Sequence, residues 1–295
     1  MTPFEVIRPL LQDAIQNEPM KKHTSFKIGG PAEVLARPKN TEEFIAVWQT
    51  SKQLDIPLTI LGDGTNVLAP DEGIKGIVML TNKMTALETR ENGEIYAATG
   101  VRLAKLAEAA CQASLAGLEF ASGIPGTVGG AVFMNAGAYG GEIKDFCISV
   151  DLLGEDGAAN VPASQMGFGY RSSNVQNSGQ LILGATFKLS SGKQNDIRAL
   201  MTDLNNRRKI SQPLDFPSAG STFKRPEGYY AGKLIQDSGL KGYTIGGAQV
   251  SEKHAGFVVN KGNATAHDVL ELIASVRNIV HENHGVWLEP EIRIL

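Results

Sequence analysis

Apolar residues recur along the chain at two spacings, and each spacing predicts its own elements. Phe4, Ile7, Leu11 and Ile15 fall on one stripe and predict a helix over residues 4–15. Phe44, Val47, Trp48 and Leu54 mark the inner face of a second helix. Asn40 can cap it and Glu43 can complete a capping box. A third covers residues 103–115, with a stop expected at Gly117. Short apolar runs at 58–61, 77–80, 95–98, 148–153 and 181–189 read as strands, and Asp156–Gly157 closes the fourth with a turn. A helix from about Asp196 ends in Arg207, Arg208 and Lys209, a basic run that suits a helix C-terminus. After Pro213 the character changes. A helix at 229–237, a strand at 256–260, a helix capped by Thr265 with Asp268 three residues on, and a last strand at 287–295 follow. The mixture predicts an α+β protein of two lobes, 1–82 and 83–208, plus a smaller unit, 209–295.

One stretch fits neither spacing. Residues 120–141 carry no charge over 22 positions, about the length that spans a bilayer. Seven of them are glycine, and Pro125 stands near the start. Glycine costs about 1 kcal/mol and proline about 3 kcal/mol per helix position, so this is a poor helix. Lipid does not tolerate irregular exposed backbone, so the segment is expected to lie inside protein or against a ligand.

Composition narrows the class. A chain of 295 residues exceeds one domain of roughly 150, and 42% apolar with 20% charged residues excludes a disordered chain. With 28 basic and 31 acidic residues the net charge is −3, which argues against a nucleic-acid partner. Two cysteines, Cys111 and Cys147, make neither a zinc cluster nor a disulfide framework. His281 and His284 share a helix face, but no third residue stands at metal-ligand spacing, so no metal is expected. Residues 1–17 lack a leader pattern, which sets the expectation of a cytoplasmic protein with no membrane partner.

The run at 58–61 leads directly into Gly62, Asp63, Gly64, Thr65 and Asn66. Main-chain N–H groups of a glycine-rich turn after a strand can form a nest for an anion. Neither the P-loop lysine nor the third glycine of a Rossmann loop is present. Taken alone, such a turn is more often a hairpin than a phosphate site; the second glycine-rich stretch brings the phosphate reading level with the hairpin.

LTILGDGTNVLAPD and GLEFASGIPGTVGGAVFMNAGAYGGE resemble the two flavin-binding segments of the UDP-N-acetylenolpyruvoylglucosamine reductase family. HTSFKIGGPAEVLARP, GYRSS, SAGSTFKRP, AGKLIQDSGLKG, KHAGFVVN and WLEPEIRIL extend the likeness in family order over residues 20–295. The resemblance implies a two-lobed FAD-binding module of the vanillyl-alcohol-oxidase type and a small C-terminal α/β substrate-binding domain. It implies NADPH-dependent reduction of UDP-N-acetylglucosamine enolpyruvate to UDP-N-acetylmuramate in peptidoglycan precursor synthesis. Carried over, Gly62, Asp63, Gly64, Thr65 and Asn66 would cradle the FAD diphosphate. Ser122, Gly123, Ile124, Pro125, Gly126, Thr127 and Gly130 would line the rest. The first loop offers no His or Cys for a covalent link, so the FAD is expected to dissociate.

The same resemblance assigns the chemistry to Arg171, Ser221 and Glu291. Arg171 suits a bidentate pair with the substrate carboxylate, Glu291 can stabilise the charge that hydride arrival creates, and Ser221 would protonate the neighbouring carbon. Without the family, Arg171 reads as a surface arginine and Ser221 as a turn residue. Alternation along the last strand sets Leu288 and Ile292 against Glu289 and Glu291 without separating the two acids. Lys209 and Arg225 resemble positions that meet substrate, with Tyr139 and His254 as weaker additions. Only 49 residues separate Arg171 from Ser221, which fits the shorter of two family forms, the one without an inserted tyrosine loop. Two competing readings stand beside this one: an FAD oxidase or dehydrogenase of the vanillyl-alcohol type, and a non-catalytic UDP-sugar-binding flavoprotein.

Overall fold

A computed structural model describes residues 1–295. Its first sheet has the strand order Ile15–Pro19, Pro31–Ala36, Ile74–Leu80, Leu58–Leu61, the first pair antiparallel and the others parallel. Parallel strands of one sheet need a crossover, and the helix Thr41–Gln53 supplies it between Pro31–Ala36 and Leu58–Leu61, which flank Ile74–Leu80. Ile77, Val78, Met79 and Leu80 are all buried, the continuous apolar run expected of a strand covered on both faces.

The second sheet is antiparallel, in the order Gly157–Pro162, Cys147–Gly154, Leu181–Lys188, Glu94–Ala98, Leu87–Arg90. The helices Leu103–Gln112 and Gln194–Ser211 bury Leu106, Ala110, Ile197 and Met201 in the core it shares. A third core gathers the three-stranded sheet Thr244–Ile245, Ala248–Val250, Val258–Asn260 with the helices Ala231–Asp237 and Ala266–His284. Phe26, Ile28 and Leu68 from the first lobe belong to this third core, and Leu153 and Leu183 from the second belong to the first. The lobes are therefore keyed into one another by large apolar side chains.

Several sequence expectations are corrected. The helix expected over 4–15 is Pro3–Ile7 only; Pro9 has no N–H to continue it, and Ile15 opens a strand against Leu35. Leu54 is exposed, so it leaves the inner face formed by Phe44, Val47 and the half-buried Trp48. Asn40 caps Thr41–Gln53 through the Glu43 N–H, but the Glu43 carboxylate takes the N–H of Lys39 instead of closing the box. The third helix ends at Gln112, because Leu115–Ala116 pairs with Ser190–Ser191. The helix expected from 229 starts at Ala231, and the strand expected from 256 starts at Val258. The last strand shrinks to Arg293–Ile294, since Pro290 cannot donate and Trp287 stacks on His281. Inside the glycine-rich stretch lies one α-helix, Val128–Met134, despite Gly129 and Gly130. A Cβ at Gly129 would lie 2.0 Å from Thr99 Oγ1, so close packing takes precedence over helix propensity. No helix is long and apolar enough to cross a membrane.

Candidate active site

The two glycine-rich segments meet face to face. A Cβ at Gly62 would stand 2.2 Å from Thr127 Oγ1, and one at Gly126, where φ is +123°, 2.9 Å from Thr65 Oγ1. Thr65 Oγ1 donates to Pro125 O at 3.2 Å and joins the loops. Asp63, Gly64, Thr65 and Asn66 present four consecutive backbone N–H groups, none of which donates to a protein acceptor. The buried Thr127 hydroxyl has no partner either. Orphan donors of this kind are rare in folded chains and point to a ligand rich in acceptors, such as a diphosphate.

Side chains around the cradle are used to hold it. Asp63 pairs with Arg102 at 2.8 Å, so its carboxylate is neutralised beside the anion site. Asn66 Nδ2 donates to Glu291 O at 3.2 Å. Ser122 Oγ donates to Glu119 O at 2.8 Å and accepts from Asn205 Nδ2 at 3.3 Å. Ile124 packs on the second core, while a Cβ at Gly130 would meet only Thr127 Oγ1, at 3.8 Å. The residues present fit FAD held without a covalent bond.

Arg208 escaped sequence reasoning, which took Lys209 alone from its basic run as a substrate contact and gave Arg208 only a helix-end role. Its stem lies against Gly123, it has no carboxylate within ion-pair distance, and burial lowers its pKa. Tyr139, with φ +54°, lies within electrostatic range of it. The signal that could have found Arg208 is its place on the same helix face as Met201, Leu204 and Asn205.

Arg171, Glu291 and Ser221 come together from three separate parts of the chain. Arg171 Nε donates to Glu291 Oε1 at 2.7 Å, and Arg171 Nη2 to Gly137 O at 3.3 Å. Glu291 N donates to Thr222 O at 2.8 Å, which puts the residue after Ser221 beside Glu291. Thr222 is fixed by donating its N–H to Gly256 O and accepting from Val258 N. Gly220, at φ +79°, makes the turn that leaves Ser221 exposed at the end of this bridge. The two acids of the last segment separate cleanly: the Glu289 side chain is 72% exposed on Lys224, and that of Glu291 12% exposed on Arg171. Burial pushes the Glu291 carboxyl above the usual carboxylate range, and the Arg171 charge only partly offsets it.

The other predicted residues are spread more widely. Arg225 N donates to the Tyr170 hydroxyl at 3.1 Å, and its guanidinium sits 4.0 Å from the Tyr230 ring centroid. Tyr170 also lies under Arg171, whose Cζ is 5.3 Å from its ring, so Arg225 and Arg171 flank one tyrosine. Lys209 is exposed, and its carbonyl accepts from Lys253 Nζ. His254 Nδ1 accepts from Gly256 N at 3.1 Å, one residue chain away from Thr222, and burial lowers its pKa.

Comparison with known proteins agrees with this geometry. The sequence profile described as an FAD binding domain matches residues 32–160. The one described as the UDP-N-acetylenolpyruvoylglucosamine reductase C-terminal domain matches residues 212–295. The UDP-N-acetylenolpyruvoylglucosamine reductase of Caldanaerobacter subterraneus subsp. tengcongensis is 52% identical over 280 residues, 95% of this chain and 92% of that protein. That of Lachnoclostridium phytofermentans is 50% identical over 284 residues, with the same coverage, 95% and 92%. The crystal structure of the reductase from Thermus caldophilus superposes with a TM-score of 0.81 at 34% identity, over 96% of this chain and 98% of that one. Alkyldihydroxyacetonephosphate synthase shares the flavoprotein fold alone, with a TM-score of 0.50 at 13% identity over 64% of this chain and 40% of its own. A cradle of free N–H groups, a half-buried arginine–glutamate pair and near-complete coverage at half identity meet in one assignment: the chain belongs to the UDP-N-acetylenolpyruvoylglucosamine reductase family and is an FAD-binding oxidoreductase.

Proposed function

We propose that the protein reduces UDP-N-acetylglucosamine enolpyruvate to UDP-N-acetylmuramate in peptidoglycan precursor synthesis, with NADPH as reductant and a dissociable FAD. Residues 1–82 and 83–208 hold the cofactor, and 209–295 close over the sugar nucleotide. The observation that carries this reading is the Arg171–Glu291 pair, 2.7 Å apart and bridged by Thr222 to Ser221. An unsaturated carboxylate needs such a set: a planar cation for its two oxygens, an acid to share the charge that develops, and a proton donor over one carbon.

FAD, when bound by Asp63–Asn66 and Ser122–Gly130, supplies a hydride carrier between NADPH and the enolpyruvyl double bond. Arg171 binds the substrate carboxylate and orients the double bond. As hydride reaches the terminal carbon, the π electrons move towards that carboxylate. Glu291, whose protonated form burial favours, donates a hydrogen bond to the developing enediolate. Ser221 gives its hydroxyl proton to the carbon bearing the ether oxygen and recovers one from water. Lys209, Arg225, Tyr139 and His254 are assigned to the sugar-nucleotide side of the cleft. Arg208, a cation without a protein anion, faces the same glycine wall. An anaerobic experiment tests the whole scheme: NADPH should bleach the flavin, and the enolpyruvyl nucleotide should restore its colour. Reduction without reoxidation would reject the proposal.

A further inference from the structure

The turn that carries Arg171 is held by side chains from elsewhere. Arg171 has φ +55°, a left-handed backbone unusual for a residue with a side chain, and such a conformation persists only where the surroundings enforce it. Gly169 and Ser172 exchange backbone hydrogen bonds of 3.1 and 3.3 Å across the turn. Asn135 Nδ2 donates to Gly169 O at 2.9 Å on one side of Arg171. Gln176 Nε2 donates to the carbonyl of Arg171 itself at 3.1 Å, and to Phe133 O at 2.9 Å. Ser173 Oγ adds a bond to Phe133 O at 2.8 Å.

All three anchors converge on residues 133–135, where the helix Val128–Met134 ends. Asn135 is fully buried, and its remaining bonds go to Glu142 Oε2 at 3.0 Å and from Lys144 N at 3.0 Å. The helix begins next to Thr127, whose unpartnered hydroxyl faces Gly62 in the cofactor cleft. Seven residues at about 1.5 Å each make a strut of about 10 Å between cofactor cleft and arginine turn.

We propose that Asn135 and Gln176 are positioning residues that set Arg171 in register with the cofactor cleft, using this helix as the spacer. This rests on the reading of Arg171 as the carboxylate-binding residue. Hydride transfer tolerates little misplacement, so a shift of the turn slows it without touching cofactor binding. Gln176 is the more selective probe. Without its donors Phe133 O keeps Ser173 Oγ, whereas the Arg171 carbonyl keeps none of its own.

The test uses FAD-loaded Gln176→Met and Asn135→Asp, each with and without Arg171→Ala, in anaerobic stopped flow. Asn135→Asp keeps the acceptor for Lys144 N and loses both donors. Either variant should bleach with NADPH within twofold of wild type and reoxidise with the enolpyruvyl nucleotide at least tenfold more slowly. In the Arg171→Ala background the same substitution should change reoxidation by less than twofold, because residues that act through one group are not additive. A penalty that persists without the arginine, or equal slowing of both half-reactions, overturns the positioning role. So does wild-type-like reoxidation in both single variants. Failure of the wild type itself to reoxidise rejects the proposed reaction, and the positioning role falls with it.

Discussion

The carbonyl of Thr222 accepts the backbone N–H of Glu291 at 2.8 Å, so Ser221 and Glu291 are neighbours through main chain rather than through side-chain contact. Their side chains can therefore be changed one at a time without undoing the bridge. Ser221→Ala should retain FAD and bleach normally with NADPH. Its reoxidation by the enolpyruvyl nucleotide should fall by about 10²- to 10⁴-fold, the usual worth of a positioned general acid. Ser221→Cys should keep more activity than alanine. Equal loss in both half-reactions would move the proton donor elsewhere.

Arg171→Lys is expected to be a poor replacement, since an ammonium cannot present two parallel N–H groups to a carboxylate. The loss should be roughly 2–4 kcal/mol of transition-state stabilisation, or about 30- to 1,000-fold in kcat/KM. Steady-state kinetics within twofold of wild type would remove Arg171 from the reaction.

Glu291 gives a stability prediction with a definite sign. Its pKa is raised in the folded protein, mainly by burial, so the native state holds its proton at a pH where the unfolded chain has lost it. The burial is tolerated fully below the unfolded value near 4.5 and becomes a penalty as pH rises through the folded value. Glu291→Gln removes the ionisation, so its melting temperature relative to wild type should climb between pH 4 and pH 8. A difference that shrinks over that range would mean that the Arg171 charge dominates.

The fit of the two glycine-rich segments predicts how FAD is held. The protein should be yellow, and denaturation should release all of its FAD into solution. Gly62→Ala forces a Cβ against Thr127 Oγ1 and should lower FAD affinity by tenfold or more, read by flavin fluorescence on titration. Flavin that stays with the denatured chain would contradict dissociable binding.

Both cysteines are buried, and burial pushes the Cys147 thiol up to about 12. A thiol reagent at pH 7.5 should find neither in the native protein and both after unfolding. Rapid native reaction would place one of them on a surface that the fold does not expose.

The central strands were legible because their apolar runs are short and continuous, as at Leu58–Leu61, where the observed strand has the predicted bounds. The Thr265–Asp268 capping box was legible for a related reason: all its bonds are local. The N-terminal stripe misled because Ile15 satisfies a helical period while its partner, Leu35, lies in another strand. Motif resemblance pointed to Arg171 and Glu291, but alternation alone could not choose between Glu289 and Glu291. Only the folded chain brings an arginine from 120 residues away to bury one of them. Asn135 and Gln176 left no signal, since each bonds main-chain carbonyls, which every residue has.

The strand Arg293–Ile294 lies parallel to Val67–Leu68, and Arg293 N donates to Asn66 O, the last residue of the anion cradle. Arg293 also covers the Phe133 ring at 5.1 Å, on the strut that carries the arginine turn. Arg293 and Ile294 thus brace a loop that the chain lays down far earlier. A growing chain can complete its first sheet while still on the ribosome, yet the cradle stays unbraced until residue 293 emerges. Cofactor capture in this sense waits on a segment remote in sequence, and removal of residues 293–295 would be felt first as lost flavin.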